Sequence, residues 1–228
     1  MSSTWPTVLD LGSLVPVAAL WLWVFRSRTW GFWGRMAPAT AVLGLVALGL
    51  RQGPGVLRPL HPWSLLWGAA SAVVLWGVFW LGARILQAVL PHSGVHTASV
   101  YGLAAGSSGI GISALLLLVI GPSEELYWRG LVQWSLQAVA PLWVAVLAAA
   151  LAYTAVHLVA KNPVLLLAAL VGGLYWGTLF AVSGQLAPII VSHALWDAMV
   201  LVWWPVAPAT PTGGSVGRSP GPRAPLSA

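Results

Sequence analysis

Apolar runs of bilayer length succeed one another along this chain from about Val8 to Trp204, joined by short connections. A helix that crosses a hydrocarbon core needs roughly 20 apolar residues, and in lipid only helices and closed barrels satisfy every backbone N–H and C=O. The composition agrees, because 59% of the 228 residues are hydrophobic and only 6% are charged. The expected fold is therefore all-α, a polytopic transmembrane helical bundle of about eight spans.

The first span is expected over about Val8 to Phe25. Arg26, Arg28 and Arg35 follow it around Trp30-Gly31-Phe32-Trp33, a cluster suited to the headgroup region. Met36 to Leu50 gives a second span, and Trp63 to Ala83 a third beyond a Pro/Gly-rich connection. Residues 91–101, with His92 and His96, read as a loop. A fourth span from about Gly102 begins with Gly106-Ser107-Ser108-Gly109, small residues that permit close helix approach, and should stop at Pro122. Ser123 as N-cap would then open a fifth helix ending near Ala140, with Glu124 and Glu125 at the positive end of its dipole. Leu142 to Ala160, Val164 to Val182 and a stretch ending near Trp204 complete the eight.

Three regions follow: N-terminal transmembrane helices over 1–101, a core of transmembrane helices over 102–204, and a Pro/Gly-rich tail over 205–228 expected to be disordered. Met1 to Trp5 lacks Lys and Arg, so the first apolar run is expected to stay as an anchor. The net charge of +6 comes from ten scattered basic residues. They read as topology signals that meet a lipid bilayer, with no nucleic-acid patch. The absence of Cys excludes disulfides, thiolate nucleophiles and Cys-ligated metals. Arg in place of Lys and abundant Trp point to a GC-rich prokaryote and hence to its plasma membrane.

Against this background four acidic residues are all the chain has, and Glu124 and Glu125 are two of them. An ionisable group at membrane depth costs roughly 2.5–3.5 kcal/mol on insertion scales, so Glu124, Glu125, Arg129, His157, His193 and Asp197 need partners. Helical spacing pairs Glu125 with Arg129 on one face and turns Glu124 about 100° away. Tyr153 with His157 and His193 with Asp197 repeat the same four-residue interval on two further helices. Glu124 and His157 stand at similar distances on either side of Pro141, so an antiparallel hairpin brings them to one depth.

A carboxylate with two imidazoles activates water in one of two ways. Either Glu124 is the general base, or a divalent metal such as zinc is held by Glu124, His157 and His193. Two other proteolytic signatures are poor fits. Gly106-Ser107-Ser108-Gly109 matches a rhomboid-type serine motif only formally, and the His-Glu-x-x-His of many metalloproteases does not occur.

Glu-Glu-x-x-x-Arg at 124–129, aromatic-x-x-x-His at 153–157 and His-x-x-x-Asp at 193–197 resemble, in that order, the three motifs of the CPBP family. That family includes CAAX prenyl endopeptidases of the Rce1 type, bacteriocin-processing or immunity proteins, and Abi proteins. The resemblance covers about residues 102–204. It implies an intramembrane endopeptidase, a hydrolase acting on a membrane-associated peptide or protein. Glu124 would activate water with help from His157, while His193 and Asp197 would polarise the carbonyl and hold the oxyanion. Glu125 with Arg129 would brace the helix. Two positions depart from the pattern: Tyr153 stands where Phe is common, and Asp197 where the prenyl endopeptidases carry Asn. An ionised Asp cannot donate to an oxyanion, so Asp197 must be protonated, orient His193 or bind metal. The same buried groups would also serve a proton- or cation-coupled transporter, or a catalytically silent immunity or scaffold member.

Overall fold

The computed structural model describes residues 5–50, 62–90 and 93–206, all helix or short connection. His61, His92, most of the connection before the third span and the tail from 207 onward lie outside the described residues. The chain is an integral membrane protein of the all-α class. Large apolar side chains such as Ile110 (86% exposed) and Leu118 (75%) face outward, as lipid-facing positions do and water-facing ones rarely do.

In chain order, α1 (Trp5–Gly12) and α2 (Leu14–Arg26) are nearly continuous and form the first span, Val8–Arg26. α3 is Gly31–Leu50, α4 Pro62–Val89 and α5 Ser93–Gly102. α6 is Gly109–Gln137, α7 Leu142–Ala160, α8 Pro163–Ser183 and α9 Ala187–Trp203. Six of these are long and apolar enough to cross a membrane, and α9 is a shorter apolar helix.

The helical membrane bundle is as expected, but among the described residues six helices are of spanning length and α9 is shorter, because the expected fourth and fifth spans are one helix. Pro122 does not end α6. Immediately before it, Leu116–Ile120 form a wider π-helical turn in which the Gly121 N–H reaches back to the Leu116 carbonyl. An α-helix rejects an internal proline because the ring meets the carbonyl four residues back and no N–H is available to bond it. A widened turn changes that register and relieves the conflict. Glu124 and Glu125 therefore lie in the middle of a long helix, with no helix terminus beside them. Ser123 caps nothing; it packs against α3, where a Cβ on Gly44 would stand 2.8 Å from its Oγ.

Two smaller readings also change. Residues 93–102 form helix α5 rather than a loop, despite weak intrinsic helix formers. Asn162, at the start of α8, donates its side-chain N–H groups to the His96 carbonyl and Ser99 Oγ, and this tertiary clasp accounts for the order. Gly106–Ser108 are an exposed turn, with Gly106 at φ +75° and Ser108 capping α6, so they do not mediate helix packing.

Packing then brings three segments together around the centre of α6. α7 and α8 run along each other, α9 packs on both α4 and α6, and α3 covers the remaining side of α6. At the closest point a Cβ added to Gly121 would lie 2.8 Å from Ala194 Cα, so only glycine lets α6 and α9 approach this far. That contact sits beside His193 and three residues before Glu124.

Candidate active site

Glu124 and Glu125 are 3% and 0% exposed, yet they face different neighbours, as the 100° helical offset requires. Glu124 turns toward α7, where the Tyr153 hydroxyl donates to its Oε2 at 2.9 Å. Glu125 turns toward α9. Its Oε1 accepts from Arg129 Nη1 at 2.8 Å and from His193 Nδ1 at 2.5 Å. The anticipated pairing of Glu125 with Arg129 is present, and the histidine is an addition to it.

Arg129 has further duties. Its Nη2 donates to the carbonyls of Gly172 and Gly173 on α8, at 3.4 and 3.2 Å, and the guanidinium lies over the Tyr153 and Trp176 rings. A buried charge with a carboxylate partner and satisfied remaining donors is the form in which an arginine persists in an apolar bundle.

His157 follows Tyr153 by one turn of α7. Its Nδ1–H donates to the Tyr153 carbonyl at 2.8 Å, which leaves Nε2 as the ring's lone-pair nitrogen. The indole N–H of Trp21, from α2, points to that nitrogen at 3.4 Å. On α9, His193 Nε2 lies 3.5 Å from Asp197 Oδ2. The imidazole is thus held between two carboxylates, Glu125 at one nitrogen and Asp197 at the other.

Glu124, Tyr153, His157, His193 and Asp197 all line one cavity of about 310 Å³. Its remaining wall is mostly apolar, including Phe25, Phe32 and Phe79 from other helices and Trp196 from α9. Glu125 and Arg129 stand behind this surface. The structure therefore brings Glu124, His157, His193 and Asp197 to a common space and separates the bracing pair from it.

Residues 106–199 match the family model of type II CAAX prenyl endopeptidases, Rce1-like. Over that stretch the chain is similar to the Rce1-like family. All three motifs of the Rce1-like region fall on the cavity or directly behind it, and α2 to α5 add lining residues from outside the matched stretch. No curated protein and no solved structure matches the chain.

The side chains anticipated for a metal are otherwise engaged. Both nitrogens of His193 face carboxylates, and the lone pair of His157 faces an indole N–H. Among the described residues no three His, Asp or Glu side chains are grouped so as to hold a metal ion. The set of Glu124, His157 and His193 does not fit a metal centre in this arrangement.

Two tryptophans were hidden among the sixteen of the sequence. Trp21 reaches a histidine 136 residues away, and Trp176 stacks on His193. In the sequence both read as interface or core residues. No local spacing distinguishes them.

Proposed function

We propose that this protein is an intramembrane endopeptidase of the Rce1 type, acting in a prokaryotic plasma membrane on a membrane-associated peptide or protein. The observation that carries this reading is that Glu124 lines a largely apolar cavity together with His157 and His193, while its neighbour Glu125 is committed through Oε1 to Arg129 and His193 behind the wall.

Glu124 holds the Tyr153 hydroxyl on Oε2, which leaves Oε1 for a water in the cavity. As that water attacks the scissile carbonyl, Glu124 takes its proton, and a new C–O bond forms. Collapse of the tetrahedral intermediate breaks the C–N bond, and the proton is passed to the leaving amine. His157 lines the same space, and its Nε2 helps to orient the water when the Trp21 indole N–H, 3.4 Å away, gives way. His193 in its doubly protonated form places its positive charge beside the developing oxyanion, and Asp197, 3.5 Å from Nε2, orients the ring for that task. Asp197 thereby takes an orienting role in place of a donor role.

Convergence on one cavity supports hydrolysis over transport, which requires polar groups strung along a route through both leaflets. The test uses purified protein in lipid nanodiscs, with a farnesylated C-terminal CAAX peptide and non-prenylated membrane-anchored peptides, and cleavage followed by mass spectrometry. Glu124→Gln is expected to lower turnover by roughly 10²–10⁴-fold while the protein stays folded. Full turnover in that variant would overturn the mechanism. Cleavage of none of the peptides by the parent protein, with partner binding preserved, would point to a silent family member.

A further inference from the structure

The ring of Trp176, on α8, stacks on the imidazole of His193 with centroids 3.8 Å apart and planes inclined by 21°. The indole is itself held. Its N–H donates to Ser192 Oγ at 3.1 Å, and Ser192 Oγ lies 3.1 Å from Ser71 Oγ on α4. Trp176 and Ser192 are 1% and 0% exposed, so water does not compete for these bonds. Behind the ring, a Cβ on Gly172 would come within 2.7 Å of Trp176 Cζ3. The indole therefore rests on the α8 backbone and has no room to withdraw from His193.

A histidine ring has a broad χ2 torsion, and contacts at its edge leave tilt out of the plane weakly restrained. Glu125 and Asp197 hold His193 by its edge. A flat aromatic surface against the face supplies the missing restraint. We propose that Trp176 is a positioning residue for His193, locked by Ser192 and Ser71, which fixes the angle at which Nε2 enters the cavity. This rests on the role given to His193 in the proposed reaction. It extends the site to α4, because Ser71 lies outside the residues matched by the family model.

Trp176 also lines the cavity, so a simple wall contact with substrate is the rival reading. The two differ in kinetics. Trp176→Leu removes the face, Trp176→Phe keeps a smaller face without the N–H, and Ser192→Ala frees the indole from its anchor. For the full-length protein in nanodiscs with a cleaved membrane-anchored peptide, Trp176→Leu is expected to lower kcat about 100-fold, the scale of a small misplacement at the reacting centre. KM should stay within about twofold, because the interaction is expressed in the transition state. Trp176→Phe should recover about tenfold of the loss, and Ser192→Ala should fall between the two.

An activity-independent measurement accompanies this. The chain has only five histidines, so the His193 ring signals of isotope-labelled protein are assignable with a His193→Gln variant. The aromatic face shields the ring protons, and Trp176→Leu should move the His193 signals downfield, with a smaller shift in Trp176→Phe. A raised KM with unchanged kcat, or unshifted His193 signals, overturns the proposal. If Trp176→Leu does not fold, Trp176→Phe and Ser192→Ala decide by the same criteria. Absence of any cleavage by the parent protein removes the peptidase reading, while the His193 signals still report whether Trp176 sets the ring.

Discussion

His193 Nδ1 lies 2.5 Å from Glu125 Oε1, the same oxygen that accepts from Arg129 at 2.8 Å. One carboxylate oxygen therefore ties α6 to α9 and closes a turn of α6 at once, while Oε2 is buried without a partner among the described residues. Glu125→Gln leaves two buried donors facing a neutral amide and places an NH₂ where no acceptor stands. The expected loss is about 3–5 kcal/mol, the cost of breaking a buried ion pair from one side. Denaturation of detergent-solubilised protein measures it. Glu124→Gln should be far milder in the same assay, and equal destabilisation by the two changes would contradict the division of roles.

Asp197 Oδ2 lies 3.5 Å from His193 Nε2, its one close charged contact among the described residues. Asp197→Asn retains a carbonyl oxygen that can accept from that nitrogen, whereas Asp197→Ala retains nothing. Turnover is expected to stay within about tenfold in the Asn variant and to drop by roughly 10²-fold or more in the Ala variant. Equal loss in both would mean that the negative charge itself is required.

The Gly121 and Ala194 backbones touch so closely that an added methyl group on Gly121 has no free direction, with Ala194 Cα at 2.8 Å and Cβ at 2.9 Å. Gly121→Ala should cost about 1–3 kcal/mol by overpacking. It should also reduce turnover, because separating α6 from α9 opens the Glu125–His193 contact. Stability and kcat measured on the same preparation check whether the two losses appear together.

Tyr153 differs from the phenylalanine common at this position, and its hydroxyl is the donor to Glu124 Oε2 at 2.9 Å. Tyr153→Phe removes a hydrogen bond to a charged group, an interaction worth about 1.5–3 kcal/mol net. The ring remains to pack against His157 and Trp128. A stability loss in that range with activity reduced by less than about tenfold is expected, since Glu124 keeps its place on α6.

Because the nitrogens of His157 and His193 already face other groups, a chelator should leave turnover unchanged. Peptide cleavage after prolonged incubation with a chelator and desalting, compared with a zinc-supplemented sample, provides the measurement. Loss on chelation with recovery on zinc would require Trp21 and Asp197 to release the two histidines.

The pairing of Glu125 with Arg129 was legible because both ends lie one turn apart on the same helix, and the same holds for His193 with Asp197. The common depth of Glu124 and His157 followed from counting residues on either side of Pro141, and the cavity that both line agrees with it. Pro122 misled because helix-breaking rules describe an α-helical register, and the turn before it is π-helical. Residues 93–102 misled for a related reason: their helix depends on Asn162, more than sixty residues away.

What the sequence determined by itself was the membrane class, the helical period and the identity of the groups that the bilayer makes costly. These are properties of neighbouring residues and of their solvent. Only the tertiary structure decided that Glu125 is shared with a histidine 68 residues later, that Trp21 meets His157, and that Trp176 covers the face of His193. Which helix faces meet depends on where small residues such as Gly121 and Gly172 let backbones and rings close together. That fit is a sum over contacts distant in the chain, and no window along the sequence contains it.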